Sequence, residues 1–313
     1  MVKNNPTITI AIPSYNKASY IKRCIESILC EKDFVDQIIL VDNASTDNTF
    51  EIAKEFSEFV TCYKNDSNLG MSGNWNRCIE LCQTDVLMIF HADDELIKGS
   101  ISKYLDFFSS NPSVGLVHAD AIFVKNDDYN SSVYQKTDKM MLRKAGEEAV
   151  DLPGNYCSTV MVKKEVYDRL GEFMLKSCAS DIEMWRRIGS KYDIGHMDEA
   201  TIYYHSNKDS YGAVSLVTRT VEEILSDWES INEKVISYYP EEVRDHKKKQ
   251  LAHVAREQLA NGLFAVLVAN IKAKKISNIL KIIKIMIFKY GYFFLLVKLS
   301  YKNFMYLLKK RLS

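Results

Sequence analysis

Val86-Leu-Met-Ile-Phe-His-Ala-Asp-Asp-Glu95 is the stretch of this 313-residue chain with the clearest signal of a functional site. Five apolar residues lead through a short polar hinge to three consecutive acids, a pattern that predicts a buried strand with carboxylates at its C-terminal end. Adjacent carboxylates repel each other and stay ionised when a divalent cation or hydrogen-bond donors compensate them. Oxygen ligands of this kind suit Mg²⁺ or Mn²⁺, although acids after a strand also occur in ordinary solvated turns.

Strands and helices are predicted to alternate around this stretch. Apolar runs predict further strands near residues 7–12, 38–41, 60–63 and 114–118, with residues at helical spacing between them. The alternation predicts an α/β fold with a mostly parallel sheet flanked by helices, in which ligands bind beyond the C-terminal strand ends. Three polar loops fall at those ends: Pro13–Asn16, Asp42–Asn43 and Asp93–Asp94. We therefore predict a binding site at that edge of the sheet.

The loops do not contain the glycine patterns of common nucleotide-binding motifs. The sequence has no GxGxxG and no GxxxxGK[ST], so neither a dinucleotide-binding protein nor a P-loop protein is expected. Carboxylates and amides can instead bond to a nucleobase and to ribose hydroxyls. A cation held by the same carboxylates can bridge to a diphosphate.

The composition is typical of a globular protein, with 47% hydrophobic residues, 26% charged residues and no net charge. The seven cysteines contain no CxxC pair, which suits a reducing cytoplasm. A strand close to the N-terminus and the lack of an uncharged apolar run of about 18 residues predict neither a signal peptide nor a transmembrane helix. We therefore expect a cytoplasmic protein.

Four motifs resemble, in their order and spacing, the signatures of the family 2 glycosyltransferases. They are Ile10-Ala-Ile-Pro-Ser-Tyr-Asn16, Val41-Asp-Asn-Ala-Ser-Thr-Asp47, Asn68-Leu-Gly70 and His91-Ala-Asp-Asp94, and the resemblance covers roughly residues 7–206. It implies the GT-A nucleotide-diphospho-sugar transferase fold, an inverting sugar transfer and a divalent cation, Mn²⁺ or Mg²⁺.

The resemblance also assigns roles to individual residues. Nucleotide-sugar binding falls to residues in the polar loops and the helix after the third strand: Pro13, Tyr15, Asp42, Asn43, Gly70, Asn74, His91 and Asp93. The metal ligands would be Asp93, Asp94 and His205. The segment from Ser180 to Trp185 resembles the family's Glu-Asp-x-Asp-hydrophobic-Trp element, whose Asp is the catalytic base; Asp181 takes that place. From the residues alone, Asp181 could instead be the N-terminal cap of an ordinary amphipathic helix, or it could do both.

Three positions depart from the family pattern. Asn43 stands where a second Asp usually contacts the base, so the base is left open. His91 stands where a first Asp is common, so metal binding is assigned to Asp93 and Asp94. Ser180 replaces the Glu before the base.

The C-terminal part of the chain has a different pattern. We predict a catalytic domain over residues 1–212, with irregular polar segments between 122 and 154, and a helical extension over 213–272. Residues 273–313 alternate lysines with apolar and aromatic clusters and contain no acid. This pattern predicts a basic amphipathic helix pair that lies on an anionic membrane surface, or alternatively packs against the domain with its lysines solvated. Its apolar density is too high for nucleic-acid binding.

These features predict an inverting glycosyltransferase of the hexosyltransferase type. Asp181 would act as general base while a nucleotide-diphosphate sugar donates to a glycan or lipid-linked glycan acceptor. The resemblance implies bacterial surface-polysaccharide synthesis, such as O-antigen or capsule, at the inner face of the cell membrane. The alternatives are a non-catalytic glycan- or lipid-binding scaffold and a nucleotidyltransferase on a similar fold. The sugar, base, acceptor, linkage and oligomeric state stay open.

Overall fold

Strands and helices alternate along most of the chain. The computed structural model describes residues 6–125, 127–136, 141–146, 157–175, 177, 179–206, 220–251, 267, 280 and 282–284. The described strands are β1 (Ile8–Ser14), β2 (Gln37–Asp42), β3 (Thr61–Lys64), β4 (Val86–Ile89), β5 (Glu95–Leu96), β6 (Val114–Lys125), β7 (Asp128–Gln135), β8 (Leu142–Arg143), β9 (Met161–Lys163) and β10 (Asp193–Ser206). The described helices include α1 (Ile21–Leu29), α2 (Thr49–Lys54), α3 (Gly70–Leu81), α4 (Ser100–Ser110), α5 (Lys164–Leu170), α6 (Ser180–Gly189) and α7 (Val221–Ser237), and residues 241–251 are helical as well.

The described strands form one sheet in the order β3-β2-β1-β4-β9-β6-β10-β5, with β7 paired to β6 and β8 paired to β10. Neighbours among β3, β2, β1 and β4 are parallel, and β10 is parallel to β6. Strand β9 runs antiparallel between β4 and β6. The predicted α/β class with a mostly parallel sheet is confirmed. Strands β3, β2, β1 and β4 form its continuous parallel part, and β9 is an antiparallel insertion.

The central strands bury side chains on both faces, so they appear in the sequence as continuous apolar runs. Ile10 of β1 and Met88 of β4 pack into a core with residues of α1 and α4. Their neighbours Ala11 and Leu87 point to the opposite face and pack into a second core with residues of α3, α5 and α6. The two cores fix the register of the strands, because a shift of one residue would exchange the two sets of side chains.

The polar segment after the fifth predicted strand is not wholly irregular. Strand β6 continues to Lys125 and pairs antiparallel with β7. Nearly every side chain of β7 is exposed, so this outer strand has no apolar alternation for a sequence pattern to detect. Of the other predicted irregular residues, 141–146 contain the short strand β8, and 126, 137–140 and 147–154 lie outside the described residues.

The chain divides into two compact units. One contains Met1–Asn207 and Lys234–Arg244, and the other contains Lys208–Glu233 and Asp245–Ser313. Part of the predicted extension, Lys234–Arg244, therefore belongs to the first unit. The predicted membrane-binding helix pair over 273–313 lies outside the described residues apart from 280 and 282–284. Among the described residues, no helix combines the length and apolar character needed to cross a bilayer.

Candidate active site

The loops that follow β1 and β2 are joined by hydrogen bonds and form one surface. The backbone N–H of Asn16 donates to Oγ of Ser45 at 2.9 Å, and Oδ1 of Asn16 accepts from the backbone N–H of Thr46 at 2.9 Å. Asn16 has φ of 52°, a left-handed conformation that asparagine tolerates better than most residues. The next residue, Lys17, donates its backbone N–H to Oγ1 of Thr49 at 2.7 Å. The two loops are thus positioned together at the carboxyl ends of parallel strands.

Asp42, a predicted nucleotide-binding residue, is buried at the end of β2. Its Oδ2 accepts from the backbone N–H of Ser45 at 2.9 Å, and its Oδ1 accepts from the Ser45 hydroxyl. The Ser14 hydroxyl makes a longer contact of 3.5 Å. The Asp42 carboxylate therefore holds its own loop in shape.

The side chain of Asn43 uses all of its hydrogen-bonding capacity within the protein. Its Nδ2 donates to Oδ1 of Asn68 at 2.9 Å and to the carbonyl of Gly70 at 3.1 Å. Its Oδ1 accepts from the backbone N–H of Leu69 at 2.8 Å and from Nδ2 of Asn65 at 3.1 Å. A carboxylate here would face two acceptors with nothing to donate. This network explains why an amide replaces the usual Asp, and a base contact by Asn43 stays a prediction.

Asn74 and Gly70, both predicted to bind the donor, lie in α3. Asn74 Nδ2 donates to the Val41 carbonyl at 2.9 Å, and its Oδ1 accepts from Asn65 at 2.9 Å. Asn74 therefore fixes the start of α3 against the end of β2. Gly70 has φ of 76°, which favours glycine at the first residue of the helix.

Pro13 and Tyr15, the predicted walls of the nucleotide site, lie at the end of β1 and just beyond it. Tyr15 is 43% exposed, so it is accessible to a ligand. Contact of either residue with a nucleotide stays a prediction.

A group of three side chains after β4 has the donor set of a cation site. Each of His91, Asp93 and Asp94 places one ligand atom within 4.8 Å of the others. Asp94 is buried, and its Oδ2 accepts from the Ser158 hydroxyl at 2.6 Å. Burial, together with the charge of Asp93, raises the pKa of Asp94 well above its usual range. Asp93 forms an ion pair with Lys17, whose Nζ lies 2.6 Å from Oδ2.

His91 completes this group with a nitrogen ligand. Its ring stacks on Trp75, with centroids 5.7 Å apart and planes inclined by 14°. Burial lowers the pKa of His91, which keeps the imidazole neutral and able to bind a metal. Its Nε2 is buried and has no hydrogen-bond partner in the described part of the chain. Two carboxylates and an imidazole fit Mn²⁺ well and Mg²⁺ less well.

The structure does not bring the His205 ring into this group. Its Nε2 lies 2.7 Å from Oε1 of Glu95 and its Nδ1 lies 2.9 Å from Oδ1 of Asp127. Arg23 pairs with the same two carboxylates, at 3.2 Å and 3.0 Å. His205 contributes only its backbone N–H, which donates to Oδ1 of Asp94 at 3.0 Å. A metal-ligand role for its imidazole would require both ring contacts to rearrange.

Asp181, the predicted base, is the second residue of α6, and the residue at the N-cap is Ala179. The capping alternative is therefore wrong. Ser180 holds this turn against α3, since its Oγ lies 2.8 Å from Oγ of Ser72. Burial raises the pKa of Asp181 to about 6, against the effect of the Ile182 backbone N–H, which donates to Oδ1 at 2.9 Å. Asp181 is thus ionised at neutral pH and is a stronger base than an ordinary carboxylate.

Asp181 and Asp94 lie near the same buried thiol. The pKa of Cys157 is raised by burial and then by the charges of these two carboxylates. Asp181, at the start of α6, and Asp94, after β4, are therefore both close enough to Cys157 to act on its ionisation.

Sequence reasoning missed three residues that shape the site: Lys17, Trp75 and Ser158. Lys17 was detectable, because it directly follows the first motif at the end of a parallel strand. Trp75 lies in α3, where an aromatic residue at helical spacing indicates a core position and not a site. Ser158 has no local signal because its partners are 64 and 67 residues away in the chain.

Comparison with known proteins gives a consistent result. The family model described as "Glycosyl transferase family 2" matches residues 9–171. An uncharacterized glycosyltransferase of Methanocaldococcus jannaschii is 24% identical over 220 residues, which are 66% of this chain and 74% of that protein. Abequosyltransferase RfbV of Salmonella typhimurium is 26% identical over 192 residues, 52% of this chain and 54% of its own length. The match covers only 38% of the length of several other curated relatives.

Two solved structures share the fold. S. aureus TarS 1-349 in complex with UDP-GlcNAc has a TM-score of 0.64 and 17% identity, with 88% of this chain and 90% of that chain covered. The mannosyltransferase PcManGT from Pyrobaculum calidifontis, in complex with GDP-Man and Mn²⁺, has a TM-score of 0.59 and 18% identity, with 87% and 76% covered. At these identities, the likeness concerns the fold alone.

Proposed function

This chain belongs to glycosyl transferase family 2, and we propose that it moves a sugar from a nucleotide-diphosphate donor to a hydroxyl of a glycan or lipid-linked glycan, with inversion. The GT-A fold that the motifs predict is confirmed by the structural likeness. The observation that carries the proposal is that Asp181, a carboxylate with a raised pKa, and Asp94, from the group of His91, Asp93 and Asp94, both act on the buried thiol of Cys157. A sugar transferase needs these two components: a base for the acceptor and positive charge for the leaving diphosphate.

The donor nucleotide would occupy the joined loops after β1 and β2. Tyr15 offers an exposed ring at this edge, and Pro13 stiffens the strand end behind it. The amide network of Asn43 holds the opposite wall in place through Leu69 and Gly70. Such a prearranged wall reduces the ordering cost of ligand binding.

The group after β4 suits the diphosphate end of the donor. Asp93, Asp94 and His91 would hold a divalent cation, and Mn²⁺ fits the imidazole best. When bound, that cation supplies positive charge to the diphosphate as it leaves. The Ser158 hydroxyl orients Asp94 and also accepts the backbone N–H of His91 at 3.0 Å, so one side chain positions two of the three ligands.

Asp181 performs the proton transfer. Its carboxylate accepts the proton of the acceptor hydroxyl while that oxygen forms a bond to the anomeric carbon. The bond from this carbon to the diphosphate oxygen breaks on the opposite face, which inverts the configuration. Its pKa of about 6 leaves Asp181 ionised at pH 7 yet basic enough to assist the attack.

A hexose is the proposed sugar, and surface-polysaccharide synthesis is the proposed setting. Support comes from the relatives' printed names and ligands, which include an abequosyltransferase, UDP-GlcNAc and GDP-Man. The basic residues of 273–313 would place the enzyme at the inner face of the cell membrane, where a lipid-linked acceptor lies. Sedimentation of the full chain with phosphatidylglycerol vesicles, but not phosphatidylcholine vesicles, tests this attachment. The attachment would be refuted if the protein sedimented equally with both kinds of vesicle, or with neither.

The proposed activity is tested by calorimetry and donor hydrolysis with UDP-, GDP- and dTDP-sugars in the presence of Mn²⁺. We expect one donor to bind and to be hydrolysed slowly. Asp181→Asn retains the carbonyl oxygen that accepts from Ile182, so it should keep binding and lose turnover. Asp168→Asn, the same change at an exposed position of α5, is the matched control. Failure of every donor to bind the wild type would favour a non-catalytic scaffold.

A further inference from the structure

Lys17 is placed by its backbone. Its N–H donates to Thr49 at 2.7 Å, and its carbonyl accepts from the N–H groups of Tyr20 and Ile21 at 2.9 Å and 3.0 Å. These bonds hold the residue where the first loop turns into α1. None of them uses the side chain, so a substitution there leaves the backbone contacts intact.

The Lys17 ammonium contacts the group that would hold the cation. Its Nζ lies 2.6 Å from Oδ2 of Asp93, and the two side chains are only 15% and 11% exposed. The ammonium also lies 5.6 Å from the centre of the Tyr20 ring. Because water screens this ion pair only weakly, its attraction is stronger than that of a surface pair.

A divalent cation on Asp93 would lie within a few ångströms of this ammonium. Two positive charges at that separation repel strongly in a partly buried site. A lysine can relieve the repulsion by turning away, since its four-carbon stem is flexible and its ammonium has three donors. A nucleoside diphosphate supplies the anion toward which it can turn.

We propose that Lys17 switches between two partners in this site. Its ammonium neutralises the charge of Asp93 when no donor is bound, and it turns toward the diphosphate when donor and cation bind. The inference rests on the proposed function. It makes Lys17 a donor-binding residue that couples the binding of the two ligands. Cation alone binds weakly because Lys17 competes with it, whereas cation and diphosphate strengthen each other's binding by the same factor.

The test measures the two ligands separately on the full-length chain. Electron paramagnetic resonance of free Mn²⁺ gives the affinity for Mn²⁺ alone, and calorimetry with EDTA gives the affinity for UDP and for GDP without metal. We expect Lys17→Met to bind Mn²⁺ roughly tenfold more tightly and the nucleotide roughly tenfold less tightly. Lys17→Arg retains the charge and should stay near the wild type for Mn²⁺. Lys22→Met, the same change at an exposed position of the following helix α1, is the matched control and should change neither affinity.

Opposite changes in the affinities for Mn²⁺ and for the nucleotide distinguish this role from a structural one. If Lys17 only supported the fold, its replacement would weaken the binding of both ligands. Equal Mn²⁺ affinity in the wild type and Lys17→Met, or loss of both ligands in a variant with an unchanged circular dichroism spectrum, would overturn the inference. In the Asp93→Asn background, Lys17→Met should bring no gain in Mn²⁺ affinity. A wild type that binds neither UDP nor GDP, even with Mn²⁺, would count against the proposed function, while the experiment with Mn²⁺ alone still decides the role of Lys17.

Discussion

The hydroxyl of Ser158 donates to the buried carboxylate of Asp94 at 2.6 Å. The two residues are 64 positions apart in the chain and meet because β9 inserts between β4 and β6. The contact lowers the pKa of Asp94 against the opposing effects of burial and of Asp93. It thereby favours the ionised form that a cation requires.

Replacement of Ser158 with alanine should impair both stability and cation binding. Asp94 loses a donor and the backbone N–H of His91 loses an acceptor, and a buried group left without its partner typically costs about 1–3 kcal/mol. We expect a lower melting temperature and weaker Mn²⁺ binding in calorimetry. Ser237→Ala removes an exposed hydroxyl on α7 and should leave both values unchanged. Normal Mn²⁺ affinity in Ser158→Ala would show that Asp94 is not a ligand.

Activity should follow the ionisation of Asp181. Because the general base must be deprotonated and its pKa is about 6 in the protein alone, kcat/KM should fall below pH 6, by about tenfold per pH unit, and level off above pH 7. The measurement is donor turnover between pH 4.5 and 8.5 with Mn²⁺ at saturation. An acidic limb centred near pH 4 would mean that Asp181 is not buried as described or is not the base.

The same residue should reduce stability at neutral pH. Its pKa in the folded protein lies above its usual value, so an ionised carboxylate in this place is unfavourable at pH values above the folded pKa. Asp181→Asn should therefore melt at a higher temperature than the wild type at pH 8, and the difference should vanish near pH 3, where the carboxyl is protonated in both states. Asp168→Asn should show no such pH-dependent gain.

Asn43→Asp, which restores the residue usual in the family, should be harmful here. The new carboxylate cannot donate to Asn68 or Gly70 and is repelled by both oxygens, with an expected cost of about 1–3 kcal/mol. Hydrogen exchange should increase over residues 65–72, and donor affinity should fall as this wall loosens. A variant with native exchange rates and improved donor binding would show instead that position 43 contacts the base directly.

His91 should set the preference between metal ions. Its imidazole is a good ligand for Mn²⁺ and a poor one for Mg²⁺. His91→Asn should therefore lower Mn²⁺ affinity by about tenfold and change Mg²⁺ affinity less, which competition calorimetry can measure. His246→Asn, a replacement at a histidine far along the sequence from the motifs, serves as control. Equal losses for the two ions would indicate that His91 acts only through its stacking on Trp75.

The sequence alone determined the α/β class, the central parallel strands and the edge at which the site lies. These features depend on local patterns, because a strand buried on both faces must be apolar along its length and a loop after it must be polar. The resemblance of the motifs also assigned Asp93 and Asp94 to the cation and Asp181 to the base, and these roles stay predictions. The edge strand β7 escaped prediction because its exposed side chains follow no apolar period.

Only the tertiary structure decided the partners of the site residues. Lys17 meets Asp93 across 76 residues of chain, and His205 reaches Asp94 across 111 residues through its backbone while Glu95 and Asp127 hold its ring. The four hydrogen bonds of Asn43 likewise depend on where the next loop passes. Hydrogen bonds and ion pairs require particular atoms within about 3 Å in a set orientation, and periodicity along a chain carries no information about such distances.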